Sequence, residues 1–183
     1  ITGADMLRGV TMGYGGLVNK QLVARLQALG VNAIGLTGAD MNVIRSHKRP
    51  LKNGIDYGFV GDVNHVDATA INHLLLAGLT PVIAPLTHDG QGHMLNTNAD
   101  TMASETAKAM ANMKTANGEL AYDVTLVYCF EKPGVLANPD DDNSVIPNIG
   151  HEDFQRLVDN GTISGGMKPK IENALAAVDN GVG

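Results

Sequence analysis

At 183 residues and 44% hydrophobic content, the chain is the size of one ordinary domain and can bury a core without metal or disulfide staples. Its single cysteine, Cys129, rules out an intrachain disulfide and fits a reducing, cytoplasmic setting, and apolar runs such as Leu74–Leu79 are far shorter than the roughly 20 residues that span a bilayer. A formal net charge of −6 without a dense Lys/Arg cluster argues against nucleic acid as a partner and leaves room for a small anion held by a few lysines.

The apolar spacing from Asp5 to Leu29 predicts two helical segments joined at Gly13-Tyr14-Gly15-Gly16, a run that matches neither a dinucleotide nor a P-loop fingerprint. Gly30 is the expected stop, and Val31–Thr37 the first buried strand. A polar, basic stretch from Asp40 to Ile55 leads into Asp56–Val63, which reads as a hairpin or edge segment. Asp67 caps a helix that ends at Gly78, Pro81–Leu86 is a buried strand, and Thr87–Asn96 is a loop. A third helix runs from Asn96–Asp100 to about Met113, and Asp123–Phe130 has the strongest strand signal of the chain, with Cys129 buried inside it. After a Pro/Asp/Asn-rich loop, helices at His151–Asn160 and Met167–Asn180 follow the glycine pair Gly165–Gly166. Alternating helices and buried strands predict a single α/β domain, a three-layer α/β/α sandwich with a mostly parallel sheet.

In such sheets ligands gather where strands end and helices begin. Three junctions stand out. At Asn96-Thr97-Asn98-Ala99-Asp100 two amides and a carboxylate crowd a helix start, where one Asx residue suffices as an N-cap. At Gly165-Gly166-Met167-Lys168-Pro169-Lys170 two lysines occupy the first turn of a helix, against the macrodipole, an arrangement that an anion between them makes favourable. Phe130-Glu131-Lys132-Pro133-Gly134, followed by Asp140–Asp142, forms a loop able to frame a nucleotide. His88 and His93, with Asp89 between them, could supply metal ligands, but they lie in a glycine loop without a further strong ligand nearby, so no dedicated metal site is expected. No serine has a nucleophile-elbow context.

These segments, together with Gly35–Asp40, Phe59-Val60-Gly61-Asp62-Val63 and Val82–Leu86, resemble the amino-acid kinase family in its order and over essentially the whole chain, and most closely its branch acting on N-acylated glutamate. The resemblance implies that family's α/β/α sandwich, ATP with Mg2+ as phosphoryl donor, and the side-chain carboxylate of N-acetylglutamate or another N-acylglutamate as acceptor, in arginine biosynthesis. It implies that Asn96 and Asn98 bind substrate, that Asp100 holds catalytic lysines in place without acting as a base, and that Lys170 is the phosphate lysine. Glu131, Gly134, Gly166 and Met167 fall on the nucleotide side. The substrate side corresponds to roughly residues 1–100 and the nucleotide side to roughly 101–183. Asn96, Asp100 and Lys170 are expected to converge on one cleft, with Asp100 facing Lys170.

The chain departs from the family pattern in four places. The family's opening strand with its lysine and glycine pair, an arginine just before Ile1, and a strand after Gly183 have no counterpart in it. Phe130-Glu131 stands where a small polar residue and Asp are commoner. Weak or absent activity of this chain alone, and association of copies into a homo-oligomer, are therefore expected. The alternative reading is a catalytically incomplete ligand-binding or oligomerisation module of the same fold. A kinase for another carboxylate or carbamate is a rival within the fold, and the missing glycine fingerprint argues against a Rossmann-like oxidoreductase.

Overall fold

The computed structural model describes residues 1–183. The chain opens with one continuous helical run, α1 (Ala4–Val10), a π-helical segment (Thr11–Val18) and α2 (Asn19–Ala28). The predicted glycine joint is therefore a widened stretch of helix and not a break. Gly30 and Gly78, both in the left-handed region, end α2 and α3 (Ala68–Leu76) as expected, and the Asp67 carboxylate caps α3 by accepting from the Ala70 N–H.

β1 (Ala33–Leu36) pairs in parallel with β4 (Thr80–Ile83), with Gly35 opposite Val82 and Leu36 opposite Ile83. Side chains alternate across a strand, so these two pairs face opposite ways. Gly35 lies against Asn19 of α2, whose side-chain amide donates to the Val82 carbonyl at 2.8 Å. Ile83 packs on the other side into a core of Ile44, Ile71, Met102 and Met110, contributed in part by α3 and α4 (Ala99–Ala111). Helices thus cover both faces of the parallel pair, the α/β layering anticipated from the sequence.

A second set of strands was only partly legible. β2 (Ile44–Lys48) lies in the stretch read as polar and basic, and it pairs antiparallel with β3 (Val60–Val66). Its alternating Ile44, Ser46 inward and Arg45, His47 outward pattern was masked by the charges on the exposed face. The expected loop at Thr87–Asn96 is a hairpin of β5 (Leu86–His88) and β6 (Met94–Thr97), and β2, β3, β6 and β5 close into a small barrel. Inside it the buried hydroxyls of Thr87 and Thr97 lie 2.7 Å apart and satisfy each other.

The larger correction concerns Asp123–Phe130, which joins no sheet. Its burial does alternate, with Val124, Leu126 and Tyr128 half-buried and Asp123, Thr125, Val127 and Cys129 exposed. Its backbone bonds are two, both to Gly183: Leu126 N–H donates to the Gly183 carbonyl, and Gly183 N–H donates to the Val124 carbonyl. Alternation and β-propensity set one face against the helices, but a strand also needs a ladder. Cys129, expected to be buried, points to the exposed side. The chain closes with α5 (His151–Asp159) and α6 (Met167–Val178), the latter packed along α4.

Candidate active site

The site is built on the contact between α4 and α6. Ala107, Ala111, Ala177 and Val182 form a small-residue core that lets the two helices approach closely. Ser104, fully buried, donates its hydroxyl to the Asn173 carbonyl at 2.9 Å, and the Asn173 amide reaches the Thr101 hydroxyl at 3.4 Å. These bonds fix the register of the two helices. One turn before Ser104 and Asn173 stand Asp100 and Lys170, and that register brings them together: Lys170 Nζ donates to Asp100 Oδ1 at 2.6 Å. Their side chains are only 26% and 18% exposed, so the pair is shielded from bulk solvent on most sides.

Two aromatic residues complete the surroundings of Lys170. Nζ lies 4.9 Å from the centre of the Tyr128 ring and 5.5 Å from that of Phe130. Tyr128 also donates its hydroxyl to the Asp100 carbonyl at 3.1 Å. Burial pushes the Tyr128 phenol up, and the neighbouring Asp100 carboxylate adds to that effect. Sequence reading gave no site role to Tyr128, Ser104 or Asn173, and it named Phe130 only as part of the loop able to frame a nucleotide. The signal for Tyr128 and Phe130 was there, since residues 124, 126, 128 and 130 share one face of an extended segment.

Asn96 and Asn98 sit at the junction that leads into α4. Asn98 is the N-cap: its side-chain oxygen accepts from the Thr101 N–H at 2.8 Å and from the Thr101 hydroxyl at 3.1 Å. Asn96, on β6, turns its amide to the buried Thr2 hydroxyl at 3.2 Å. The residues expected on the nucleotide side are grouped around the start of α6. Gly134 and Met167 both line a cavity of about 180 Å3 with Lys132, Leu136 and Ser164. Gly166 is the N-cap of α6 and brings no side-chain cap; in the first turn Met167 N–H donates to the Ser164 carbonyl at 3.2 Å and Pro169 has no N–H, so Lys168 N–H is the amide left open ahead of Lys170. Glu131 is exposed and lies between Phe130, which touches Lys170, and Lys132, which reaches the cavity. A β-carbon on Gly134 would come within 2.8 Å of Val145 Cγ1, so glycine is needed there for packing as well.

The structure therefore brings Asp100 to Lys170, and Gly134 to Met167, with the first turn of α6 shared between the two groups. Asn96 and Asn98 remain at the α4 side of that edge. The His88–His93 region holds an Asp89–His93 contact at 2.7 Å at the tip of the hairpin, and no group of three His, Cys, Asp or Glu side chains is placed to hold a metal ion.

An α/β domain with helices on both faces of a parallel pair, and a carboxylate-anchored lysine in the first turn of a helix, has an arrangement able to receive an anion at the helix start. The chain belongs to the amino acid kinase family, whose model matches residues 1–183. It is 62% identical over 182 residues to the acetylglutamate kinase of Bacteroides fragilis, covering 100% of this chain and 66% of that protein. To the acetylglutamate kinase of Brachyspira hyodysenteriae it is 36% identical over 181 residues, covering 99% of this chain and 58% of the relative. The chain thus spans about two thirds of the length of the most similar of these curated relatives. Among solved structures, smu.665 from Streptococcus mutans superposes with a TM-score of 0.82 at 32% identity, over 100% of this chain and 67% of that one. The N-acetylglutamate synthase of Neisseria gonorrhoeae, complexed with coenzyme A and N-acetyl-glutamate, shares the fold at a TM-score of 0.74 and 20% identity, over 100% of this chain and 38% of that one. No helix is long and apolar enough to cross a membrane.

Proposed function

We propose that this chain is the greater part of a carboxylate kinase that transfers the γ-phosphoryl group of MgATP to the side-chain carboxylate of an N-acylated glutamate, N-acetylglutamate first, as a step of arginine biosynthesis. The observation that carries the reading is the Asp100–Lys170 pair, held across α4 and α6 beside the cavity at Gly134 and Met167. The names of the relatives support the choice of acceptor.

In this reading an ionised carboxylate oxygen attacks the γ-phosphorus. The bond from that phosphorus to the bridging oxygen breaks, ADP leaves with the electron pair, and an acyl phosphate forms. The acceptor has no proton to lose, so no general base is required, and catalysis consists of positioning the reactants and neutralising charge on the transferring group. Lys170 supplies positive charge to the phosphoryl oxygens, Asp100 fixes the direction of its ammonium, and Lys168 N–H, the first-turn amide not used by the Ser164 carbonyl, offers a further donor to phosphate. Gly134, Gly166, Met167 and Glu131 lie towards the nucleotide, while Asn96 and Asn98 lie towards the acceptor, Asn96 for its α-carboxylate. Residues 1–100 then form the substrate side and 101–183 the nucleotide side of one domain. A homo-oligomer belongs to the same reading and is supported by the exposed apolar side chains Met12, Leu17 and Val18 along the first helical run.

The test is MgATP-dependent acyl-phosphate formation, trapped as the hydroxamate, with N-acetylglutamate, N-succinylglutamate, glutamate and aspartate compared as acceptors. Hydroxamate formed from an N-acylglutamate and lost in Lys170→Ala supports the reading. One specific observation favours a second reading, that of a ligand-binding or assembly module of the same fold: Met12, Leu17 and Val18 are exposed along the first helical run. Saturable binding of N-acetylglutamate or ATP without any hydroxamate would decide for it.

A further inference from the structure

Lys170 is held by one charge and two rings. Asp100 Oδ1 accepts from Nζ at 2.6 Å, and the ring centres of Tyr128 and Phe130 lie 4.9 Å and 5.5 Å away, both inside the roughly 6 Å reach of a cation–π contact. Tyr128 is tied in turn to the start of α4 through its hydroxyl and the Asp100 carbonyl. Phe130 has no polar tether and is 36% exposed, so its ring lies at the solvent edge of the lysine. Lys168, two residues earlier on the same helix turn, is exposed and makes no such contacts.

We infer that Tyr128 and Phe130 are positioning residues, an aromatic clamp that fixes the Lys170 ammonium without cancelling its charge. The inference rests on the reading of Lys170 as the phosphate lysine. A second carboxylate in place of the rings would hold Nζ as firmly, but it would bring the local charge to net negative and repel a phosphoryl group. A ring face attracts the cation through its quadrupole and carries no net charge, so the positive field stays available. The rings also keep water from two sides of the ammonium, which reduces screening towards an incoming phosphate oxygen. An ammonium has three N–H donors, of which Asp100 takes one; the others face weak acceptors and can turn to phosphoryl oxygens without breaking a strong bond. The geometry needs residues 128 and 130 to share a face, which the alternation of the extended segment provides, with Cys129 between them on the exposed side.

The experiment replaces Phe130 by 4-fluoro-, 3,5-difluoro- and 3,4,5-trifluorophenylalanine, which keep the ring and weaken its quadrupole stepwise, and by Phe130→Leu. Two readouts are followed. The first is the rate of Lys170 acylation by a succinimidyl ester, measured by mass spectrometry against Lys168 in the same molecule. It should rise stepwise along the series, to about threefold for the trifluoro ring and more for Phe130→Leu. The second is kcat for hydroxamate formation, which should fall by a similar factor while the KM for the acceptor stays constant. A labelling rate unchanged across the fluorinated series overturns the clamp, because a ring that only packs is indifferent to its quadrupole. If the parent chain makes no hydroxamate but binds N-acetylglutamate or ATP, the module reading is favoured for this chain, while the labelling series still decides whether the rings hold the lysine.

Discussion

The ion pair that joins α4 to α6 can be weighed by removing each charge separately and then both. Asp100→Asn keeps the volume and the helix start but loses the charge facing Lys170, and Lys170→Met keeps most of the stem. The bond is 2.6 Å long and both side chains are less than a third exposed, so screening is partial. A hydrogen bond between charged groups in that setting contributes about 1.5–3 kcal/mol. Each single variant leaves a shielded charge without its partner and is expected to lose about 2 kcal/mol. The double variant should lose less than the sum, with a coupling of about 1–2 kcal/mol. The assay is urea unfolding followed by circular dichroism for the four proteins, at low salt and again at about 1 M, where the Debye length is about 3 Å. Most of the coupling should survive the salt. A coupling below about 0.5 kcal/mol, the range of exposed surface pairs, would refute the argument and leave the Ser104 and Asn173 contacts as what aligns the helices.

Three further outcomes follow from particular contacts. In Gly35→Ala the added methyl would fall 1.9 Å from Asn19 Oδ1, and Asn19 is buried and bonded to Val82, so a loss of about 1–3 kcal/mol is expected in the same urea assay. Ser104→Ala removes a buried hydroxyl from the Asn173 carbonyl and should cost about 1 kcal/mol, with a slower hydroxamate rate as the Asp100–Lys170 register loosens. Asp89 is held at a pKa of about 2, first by the Gln91 N–H and then by His93. A carboxyl depressed on folding adds stability above its ordinary value near 4 and gives it up as pH falls towards 2. Its 13C carboxyl shift should therefore titrate near 2, and a midpoint near 4 would show that the hairpin tip does not hold it.

How much of this was written plainly in the sequence depended on whether the cause was local. Asp67 as a cap, Gly30 and Gly78 as stops and the helices at 99–111 and 167–178 rest on short-range chemistry and were legible. β2 was hidden because Arg45, His47 and Lys48 make it read as polar and basic, and the β5–β6 hairpin because Gly90 and Gly92 at its tip read as a loop. Asp123–Phe130 failed the other way: propensity and alternation describe a strand's faces, whereas its status as a strand depends on edge partners that no local pattern reports.

The site shows the same division at a finer scale. Asp100 and Lys170 lie 70 positions apart, and nothing in either segment alone names the other; the family's order of motifs paired them, and the helix register realised it. The residues that set that register, Ser104 and Asn173, carry no motif, because a buried serine bonding a helix carbonyl looks like any small residue in an Ala-rich helix. Asn98 illustrates the converse. Its oxygen is engaged by Thr101 as a cap, while the amide nitrogen of the same side chain is not used by those bonds, so one residue can end the loop and still offer a donor to a ligand. An amide cap keeps a donor, as a serine hydroxyl does, whereas an ionised aspartate that caps equally well has none left to give. Capping α4 uses only Asn98, and Asn96 instead ties β6 to the N-terminal segment through its amide bond to the Thr2 hydroxyl.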